Sequence, residues 1–274
     1  MMNRLNLKFV RRLHVAWIAE LEQRIRQGEP LPHIHALQEC ELTIWLQGEG
    51  PQELHHFDSV RALMNAHEQL HQVVNRIPAY LDSRAREEVA TTLWQVHTLS
   101  RDIVYFLTEL EFVVFEEHGL GQVVAHPIRS LVHKWFHVAD REGGSEHDPL
   151  GINHARLMHL RWSRDLVRAF NHWGRNAEIE SGVSCDLGNW IHGVGRQLDR
   201  GLVAELDKVH RLLHAKAEET IRALRRKNIR VSDKLYQEVV DLGREVLYLL
   251  TRIETLLPQS ATAATRPLEG DAID

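Results

Sequence analysis

Val89-Ala-Thr-Thr-Leu93-Trp-Gln-Val96-His-Thr-Leu99-Ser-Arg-Asp-Ile103-Val-Tyr-Phe106 decides the fold. Its apolar residues Val89, Leu93, Val96, Leu99, Ile103 and Phe106 recur every three or four positions. That is the spacing of one face of an α-helix, not the alternation of a strand. The same period runs through Leu13, Trp17, Leu21 and Ile25, and again through Val239, Leu242, Val246, Leu249, Ile253 and Leu256. No alternating run bounded by turn residues reads as a strand pair. The 8 prolines and 16 glycines cluster between the periodic segments, so the spacing predicts an all-α protein.

Outward from that stretch, breakers divide the chain. Pro30 and Pro32 end the first helical pattern, and Gly48, Gly50 and Pro51 follow a short one. Gly119, Gly121 and Pro127 close a first half; Gly143, Gly144, Pro149 and Gly151 open a second. Between them Ile128, Leu131, Val132, Trp135 and Phe136 predict an amphipathic connector helix. After Pro258 the composition predicts a disordered tail.

An internal repeat joins the halves. His14-Val-Ala-Trp17 matches His159-Leu-Arg-Trp162 at an offset of 145. Cys40-Glu-Leu-Thr-Ile-Trp45-Leu-Gln-Gly48-Glu-Gly50 matches Cys185-Asp-Leu-Gly-Asn-Trp190-Ile-His-Gly193-Val-Gly195 at the same offset. His67-Glu-Gln-Leu-His71 matches His210-Arg-Leu-Leu-His214 at 143, as does Ser100-Arg-Asp-Ile-Val-Tyr105-Phe-Leu-Thr108 with Gly243-Arg-Glu-Val-Leu-Tyr248-Leu-Leu-Thr251. Four blocks in one order predict a duplicated domain. The expected organisation is a first domain over 1–120, a connector over 121–148, a second domain over 149–258 and a tail over 259–274.

The recurring residues are three histidines and one cysteine per copy: His14, Cys40, His67 and His71, then His159, Cys185, His210 and His214. A structural zinc site takes four nitrogen or sulfur ligands in a tetrahedron. His67 and His71 are four apart on a helix, so both rings leave one face and can chelate one ion; His210 and His214 repeat that spacing. The sequence therefore predicts two zinc ions per chain. The other histidines lack a partner in the repeat and read as ordinary polar residues. Trp17, Trp45, Trp162 and Trp190 also recur and predict apolar walls around the sites, which would exclude water from the metal.

Other classes are excluded or disfavoured. With 2 cysteines in 274 residues there is no disulfide scaffold. A net charge of −5 argues against nucleic acid, and the basic run Arg222, Arg225, Arg226, Lys227 and Arg230 reads as a solvated helix end. No stretch approaches the ~20 apolar residues of a membrane span. The opening Met-Met-Asn-Arg-Leu-Asn-Leu-Lys lacks a signal-peptide core, which predicts a cytoplasmic protein.

The combination His-x-x-Trp, Cys-x-Leu-Gly-x-Trp and His-x-x-x-His resembles the chemoreceptor zinc-binding (CZB) domain family. The second copy carries Cys185-Asp-Leu-Gly188-Asn-Trp190; in the first, Thr43 stands where the family usually has glycine. The resemblance implies two tandem four-helix-bundle-like domains, each holding one zinc through three histidines and a cysteine. It also implies a regulatory role in bacterial signalling or chemotaxis, sensing zinc or oxidants of the hypochlorous-acid type. Cys40 and Cys185 are then the redox-sensitive members, since thiolates are what oxidants attack. No output module is recognisable, so the expected partner is a signalling protein of chemoreceptor or cyclase type, or a second copy.

Three alternatives compete. His67-Glu68-Gln69-Leu70-His71 fits the H-E-x-x-H zinc-hydrolase pattern, but the second copy has Arg211 where Glu68 stands, and a cysteine and a third histidine close the coordination. A dinuclear iron bundle needs recurring Glu-x-x-His pairs, which the repeat lacks. A structural zinc scaffold or buffer shares the ligand set and separates from a sensor only by its response to chelator and oxidant. The sequence reading is a zinc-binding regulatory protein without enzymatic activity.

Overall fold

The computed structural model describes residues 7–29, 31, 40–47, 58–117, 150–174 and 179–257. Every regular element among them is helical. In order they are α1 (Leu7–Gln27), α2 (Glu41–Gln47), α3 (Asp58–Val74), α4 (Ile77–Asp82), α5 (Arg86–Glu117), α6 (Ile152–Asn171), α7 (Asp186–His192), a 3-10 turn (Val194–Gln197), α8 (Arg200–Arg225) and α9 (Ile229–Thr255). The connector expected at Ile128–Asp140, the tail after Pro258 and most of the predicted turns lie outside the described residues.

Local chemistry explains where the helices start and stop. Asp199 caps α8 by accepting from the Leu202 N–H at 2.8 Å, and Asn228 caps α9 by accepting from Val231. Such caps satisfy donors that the first turn leaves free. Lys227 between them has φ 57°, and its N–H reaches the Leu224 carbonyl at 2.8 Å, closing a tight helical hairpin. The basic run falls on this turn, where Arg225 through Arg230 are exposed.

The helices build two cores. One holds Ile18, Leu21, Leu63, Leu70, Val96, Ile103 and Leu107, from α1, α3 and α5. The other holds Leu166, Leu206, Leu213, Ile221, Val246, Leu249 and Leu250, from α6, α8 and α9. A third cluster joins them: Val15, Val104 and Phe112 meet Leu157, Met158, Leu160, Leu247 and Tyr248.

Helix α1 corrects one expectation. Leu13, placed on its apolar stripe, is 44% exposed. The helix instead buries Val10, Ile18 and Leu21 in its own core, and turns Val15 and Arg11 toward α6 and α9. A helix with two buried faces has no room for a single stripe.

The contact between the halves is also charged at its heart. Arg11 and Arg156 are both fully buried. Arg11 pairs with Glu111 and reaches Asn153 Oδ1 at 3.1 Å; Arg156 reaches the same oxygen at 2.6 Å and Glu254 at 2.6 Å. Arg11 lies 4.0 Å from Glu254, and Asn153 donates to Glu111 at 2.6 Å. Further along, Arg101 pairs with Glu245 at 3.0 Å and Arg244 with Asp102 at 2.9 Å. No helix of the described residues is long and apolar enough to cross a membrane.

Candidate metal centres

In the first half, the ligand atoms of Cys40, His67 and His71 lie within 4.8 Å of one another. Cys40 stands just before α2, while α3 presents the two histidines one turn apart on its buried face. Cys40 Sγ is 3.4 Å from His67 Nε2, and His71 Nε2 is 3.3 Å from the same atom. The other ring nitrogen of His67 meets Thr43 Oγ1 at 3.4 Å. His14 on α1 stands outside this group, its Nε2 2.9 Å from Ser100 Oγ on α5. It is nevertheless close enough that His67 and His71 disfavour its charged form. Burial first and those two neighbours second lower its pKa to about 3. Burial and His71 lower His67 to about 4.

In the second half His159, His210 and His214 form the group within 4.8 Å, all three buried. His210 Nε2 lies 3.1 Å from His214 Nε2 and 3.3 Å from Cys185 Sγ. His214 Nδ1 donates to the Glu180 carbonyl at 2.6 Å, which fixes the tautomer and leaves Nε2 as the lone pair. Trp162 stacks on His214 with centroids 4.3 Å apart and on His159 at 5.5 Å. Trp190 is held by a 2.7 Å bond from Nε1 to the Leu150 carbonyl, while Trp17 and Trp45 pack half-buried against the first core. Burial, with a further push from His214, lowers His210 to about 3; burial also lowers His159 and His214. The imidazoles of His14, His67, His159, His210 and His214 are therefore neutral at neutral pH, the form that ligates a metal.

Cys185 caps α7, accepting from the Gly188 N–H at 3.3 Å. Burial pushes its thiol pKa up, and the Gly188 and Leu187 N–H groups partly oppose that. Gly188 itself is required by space: an added Cβ would lie 2.3 Å from the Gly182 carbonyl oxygen. This explains the Leu-Gly step of the second copy in backbone terms.

Three observations bear on whether a zinc ion fits these residues. The first is spacing. Ligand bonds of about 2.0–2.1 Å to nitrogen and about 2.3 Å to sulfur imply tetrahedral edges of roughly 3.3–3.6 Å. The four separations above run from 3.1 to 3.4 Å. The second is the lone pair of His214 Nε2, which faces His210 Nε2 at 3.1 Å and accepts either a proton donor or a cation. The third is an orphan. Buried His159 Nε2, in the second group, has no hydrogen-bond partner, although a buried unpaired polar atom costs about 1–3 kcal/mol. Three donors in each half, Cys40, His67 and His71 and then His159, His210 and His214, lie together as zinc ligands do, while His14 and Cys185 stand outside these two groups.

Glu68, the candidate base of the hydrolase pattern, is exposed and accepts from Gln72 Nε2 at 3.4 Å, on the solvent side of α3. Three features escaped the sequence reading: the Ser100 contact, the Glu180 carbonyl and the buried Arg11–Arg156 network. The first left a trace in the repeat, where Ser100 aligns with Gly243. A backbone carbonyl leaves none.

Residues 14–77 match the family described as the chemoreceptor zinc-binding domain. The match contains His14, Cys40, His67 and His71. No curated protein and no solved structure matches the chain.

Proposed function

We propose that the chain is a zinc-binding regulatory protein with two sites, the first formed by His14, Cys40, His67 and His71, the second by His159, Cys185, His210 and His214. The observation that carries this is the convergence of ring nitrogens and thiols at tetrahedral-edge spacing, on both sides of one molecule. The zinc-binding family match over residues 14–77 supports it for the first site.

The second site rests on the repeat. Equivalence at offsets of 145 and 143 extends beyond the ligands to Arg11 and Arg156, Glu111 and Glu254, and the crossed pairs Arg101–Glu245 and Asp102–Arg244. Such exchanged contacts are what a self-complementary interface produces when both copies lie in one chain. We therefore read the chain as a duplicated domain folded into its own pseudo-dimer, with domains over 1–120 and 149–258.

Zinc, when bound, supplies a fixed positive charge that holds helices from different parts of each half together. Binding and helix arrangement are then linked. Cys40 and Cys185 supply the oxidisable ligands, so an oxidant of the hypochlorous-acid type would weaken the same linkage. The output passes through a partner, of chemoreceptor or cyclase type, or through self-association.

The test is metal content by native mass spectrometry and elemental analysis, on the wild type and on Cys40→Ser and Cys185→Ser. Two zincs, with each variant weakening or losing one, support the reading. No zinc, or loss independent of both cysteines, sinks it. A scaffold or buffer is separated by mild oxidant: a sensor changes shape while a scaffold keeps its zinc and its shape.

A further inference from the structure

The turn between α8 and α9 aligns, at an offset of 143, with the turn between α4 and α5. The two share a backbone: Lys227 has φ 57°, and so has its counterpart Arg84. Their sequences differ in charge. Residues 222–231 carry Arg222, Arg225, Arg226, Lys227 and Arg230 with no acid, whereas the counterpart stretch 79–88 sets Arg84 and Arg86 against Asp82, Glu87 and Glu88. Closing this turn therefore does not require the cations. Nor does the helix that follows. Glu87 and Glu88 occupy the first turn of α5, where the helix dipole favours acids. The first turn of α9 has no acid, and Arg230 and Val231 stand in their place. Arg222 pairs with Glu218, but Arg226, Lys227 and Arg230 make no ion pair among the described residues. The chain from Arg225 to Val231 is exposed without interruption.

A second difference lies beside it, at the end of α6. Gly28 ends α1 with φ 68°; its counterpart at an offset of 145 is Trp173, with φ 61°. The closing hydrogen bonds are equivalent, Glu29 N–H to the Arg24 carbonyl at 3.0 Å and Gly174 N–H to the Ala169 carbonyl at 2.8 Å. Glycine adopts this left-handed conformation freely, while a bulky side chain is strained in it. The second half bears that strain and still leaves the indole 56% exposed, so packing does not compensate it. Strain of this kind persists where a residue is kept for function. Trp173 belongs to the same end of the bundle as the basic turn. Arg225 Nε donates to the Gly174 carbonyl at 3.2 Å, and a Cβ on Gly174 would meet Ile221 at 3.2 Å. Ile229 and Val231 add apolar side chains there, 40% and 45% exposed.

We propose that this end of the second half docks on an anionic lipid surface, with Arg226, Lys227 and Arg230 at the headgroup charges and Trp173, Ile229 and Val231 in the interfacial layer. Each cation near an acidic leaflet adds to binding, and indole rings favour the headgroup boundary. A single helical turn beside one tryptophan is a narrow surface. A lipid layer asks no matching shape of it, whereas a stable protein interface needs a broad complementary patch. Nucleic acid is disfavoured by the net charge of −5 on the chain and offers no apolar layer to Ile229 and Val231. The contact is peripheral: among the described residues no helix is long and apolar enough to cross a membrane. The inference stands apart from the zinc reading and uses none of the candidate ligands.

The experiment is flotation of the full chain with vesicles of mixed phosphatidylglycerol and phosphatidylcholine, against vesicles of phosphatidylcholine alone. Binding is expected to the anionic vesicles only, and to weaken in high salt. The variants take the first half's residues on the same backbone: Arg226→Ser, Arg230→Glu and Trp173→Gly. Arg226→Ser is expected to lower partitioning about 5-fold, the worth of one cation near an acidic leaflet. Arg230→Glu should lower it more, because it also adds a negative charge. Trp173→Gly relieves the strained backbone, so it should not lower the melting temperature, yet it should weaken binding and remove the quenching of tryptophan emission by brominated lipids. That loss of quenching without loss of stability is a result misfolding does not mimic. Should a charge variant fail to fold, Trp173→Gly alone must show both effects. The inference is overturned by equal binding to neutral vesicles, by no binding to anionic ones, or by full binding in the Arg226→Ser, Arg230→Glu double variant. Binding to polyglutamate or to duplex DNA without binding to vesicles also overturns it, and assigns the surface to an acidic protein or to nucleic acid instead.

Discussion

Replacing Glu254 by glutamine is expected to be among the most destabilising near-isosteric changes available in this chain. The side chain is 3% exposed and meets Arg156, which is fully buried, at 2.6 Å. It also lies 4.0 Å from Arg11 and 3.9 Å from Lys8. Four buried or nearly buried charges, Arg11, Arg156, Glu111 and Glu254, sum to zero. Glutamine leaves two guanidinium groups facing one carboxylate, with Lys8 adding to the excess. Removing one partner of a buried pair costs about 3–5 kcal/mol, and Glu254→Gln belongs in that range. Arg156→Met should cost less than Glu254→Gln, because Arg11 and Lys8 still attend the remaining carboxylate. The assay is urea unfolding at pH 7. The pH dependence has a defined sign. Burial alone would raise the pKa of Glu254, but Arg156, Arg11 and Lys8 overcome it and hold it below the ordinary 4.5; Glu111 behaves likewise under Arg11 and Arg156. A carboxyl depressed on folding contributes stability above its unfolded pKa and loses it as pH falls through the folded one. Stability should therefore fall below pH 4.5, and Glu254→Gln should flatten that limb. A glutamine variant within about 1 kcal/mol of wild type, the scale of an exposed pair, would refute the argument, as would a costlier Arg156→Met.

Thr43→Ala removes the partner of His67 Nδ1 and should weaken the first zinc site by about 10-fold or more; chelator competition measures it, and the second site should not change. Gly188→Ala drives a Cβ into the Gly182 and Val183 backbone and should cost about 1–3 kcal/mol, with loss of zinc from the second site in native mass spectra. The pairs Arg101–Glu245 and Arg244–Asp102 are 17–28% exposed. Arg101→Ala should cost about 0.2–1 kcal/mol, and the difference should shrink in 1 M salt. In the metal-free chain Cys40, half-buried, should alkylate faster than Cys185, which is 6% exposed and whose thiol is pushed up by burial; peptide mass mapping after iodoacetamide reads the order, and equal rates would contradict it.

Much of the helix content was legible because burial on one face imposes a period of 3.6 on the sequence. Leu13 escaped because α1 is buried on two faces, so its stripe is not the one that Leu13, Trp17, Leu21 and Ile25 trace. Six of the eight candidate donors stand in the two groups, and these were legible because cysteines and histidines recur at fixed offsets; His14 and Cys185 stand outside them. The orientation of the donors was not legible. His214 is aimed by the Glu180 carbonyl, and every residue has a carbonyl. Arg11, Arg156, Glu111 and Glu254 carry the same offsets as the ligands, yet a charge on a helix reads as a solvated face. Only the packing of α1 and α5 against α6 and α9 turns those charges inward.

That packing bears on what the unit of function is. The span matched by the zinc-binding family, residues 14–77, contains all four donors of the first candidate site but not α5. Helix α5 supplies Val96, Ile103 and Leu107 to the core on which α1 and α3 rest, together with Ser100 against His14. Its other face carries Val104, Phe112 and Glu111 into the contact with the second half. A first half cut free would expose that apolar face and leave Arg11 without Asn153 and Glu254. The donors are local to the matched span, but the forces that hold them at metal-binding distance run through the whole chain.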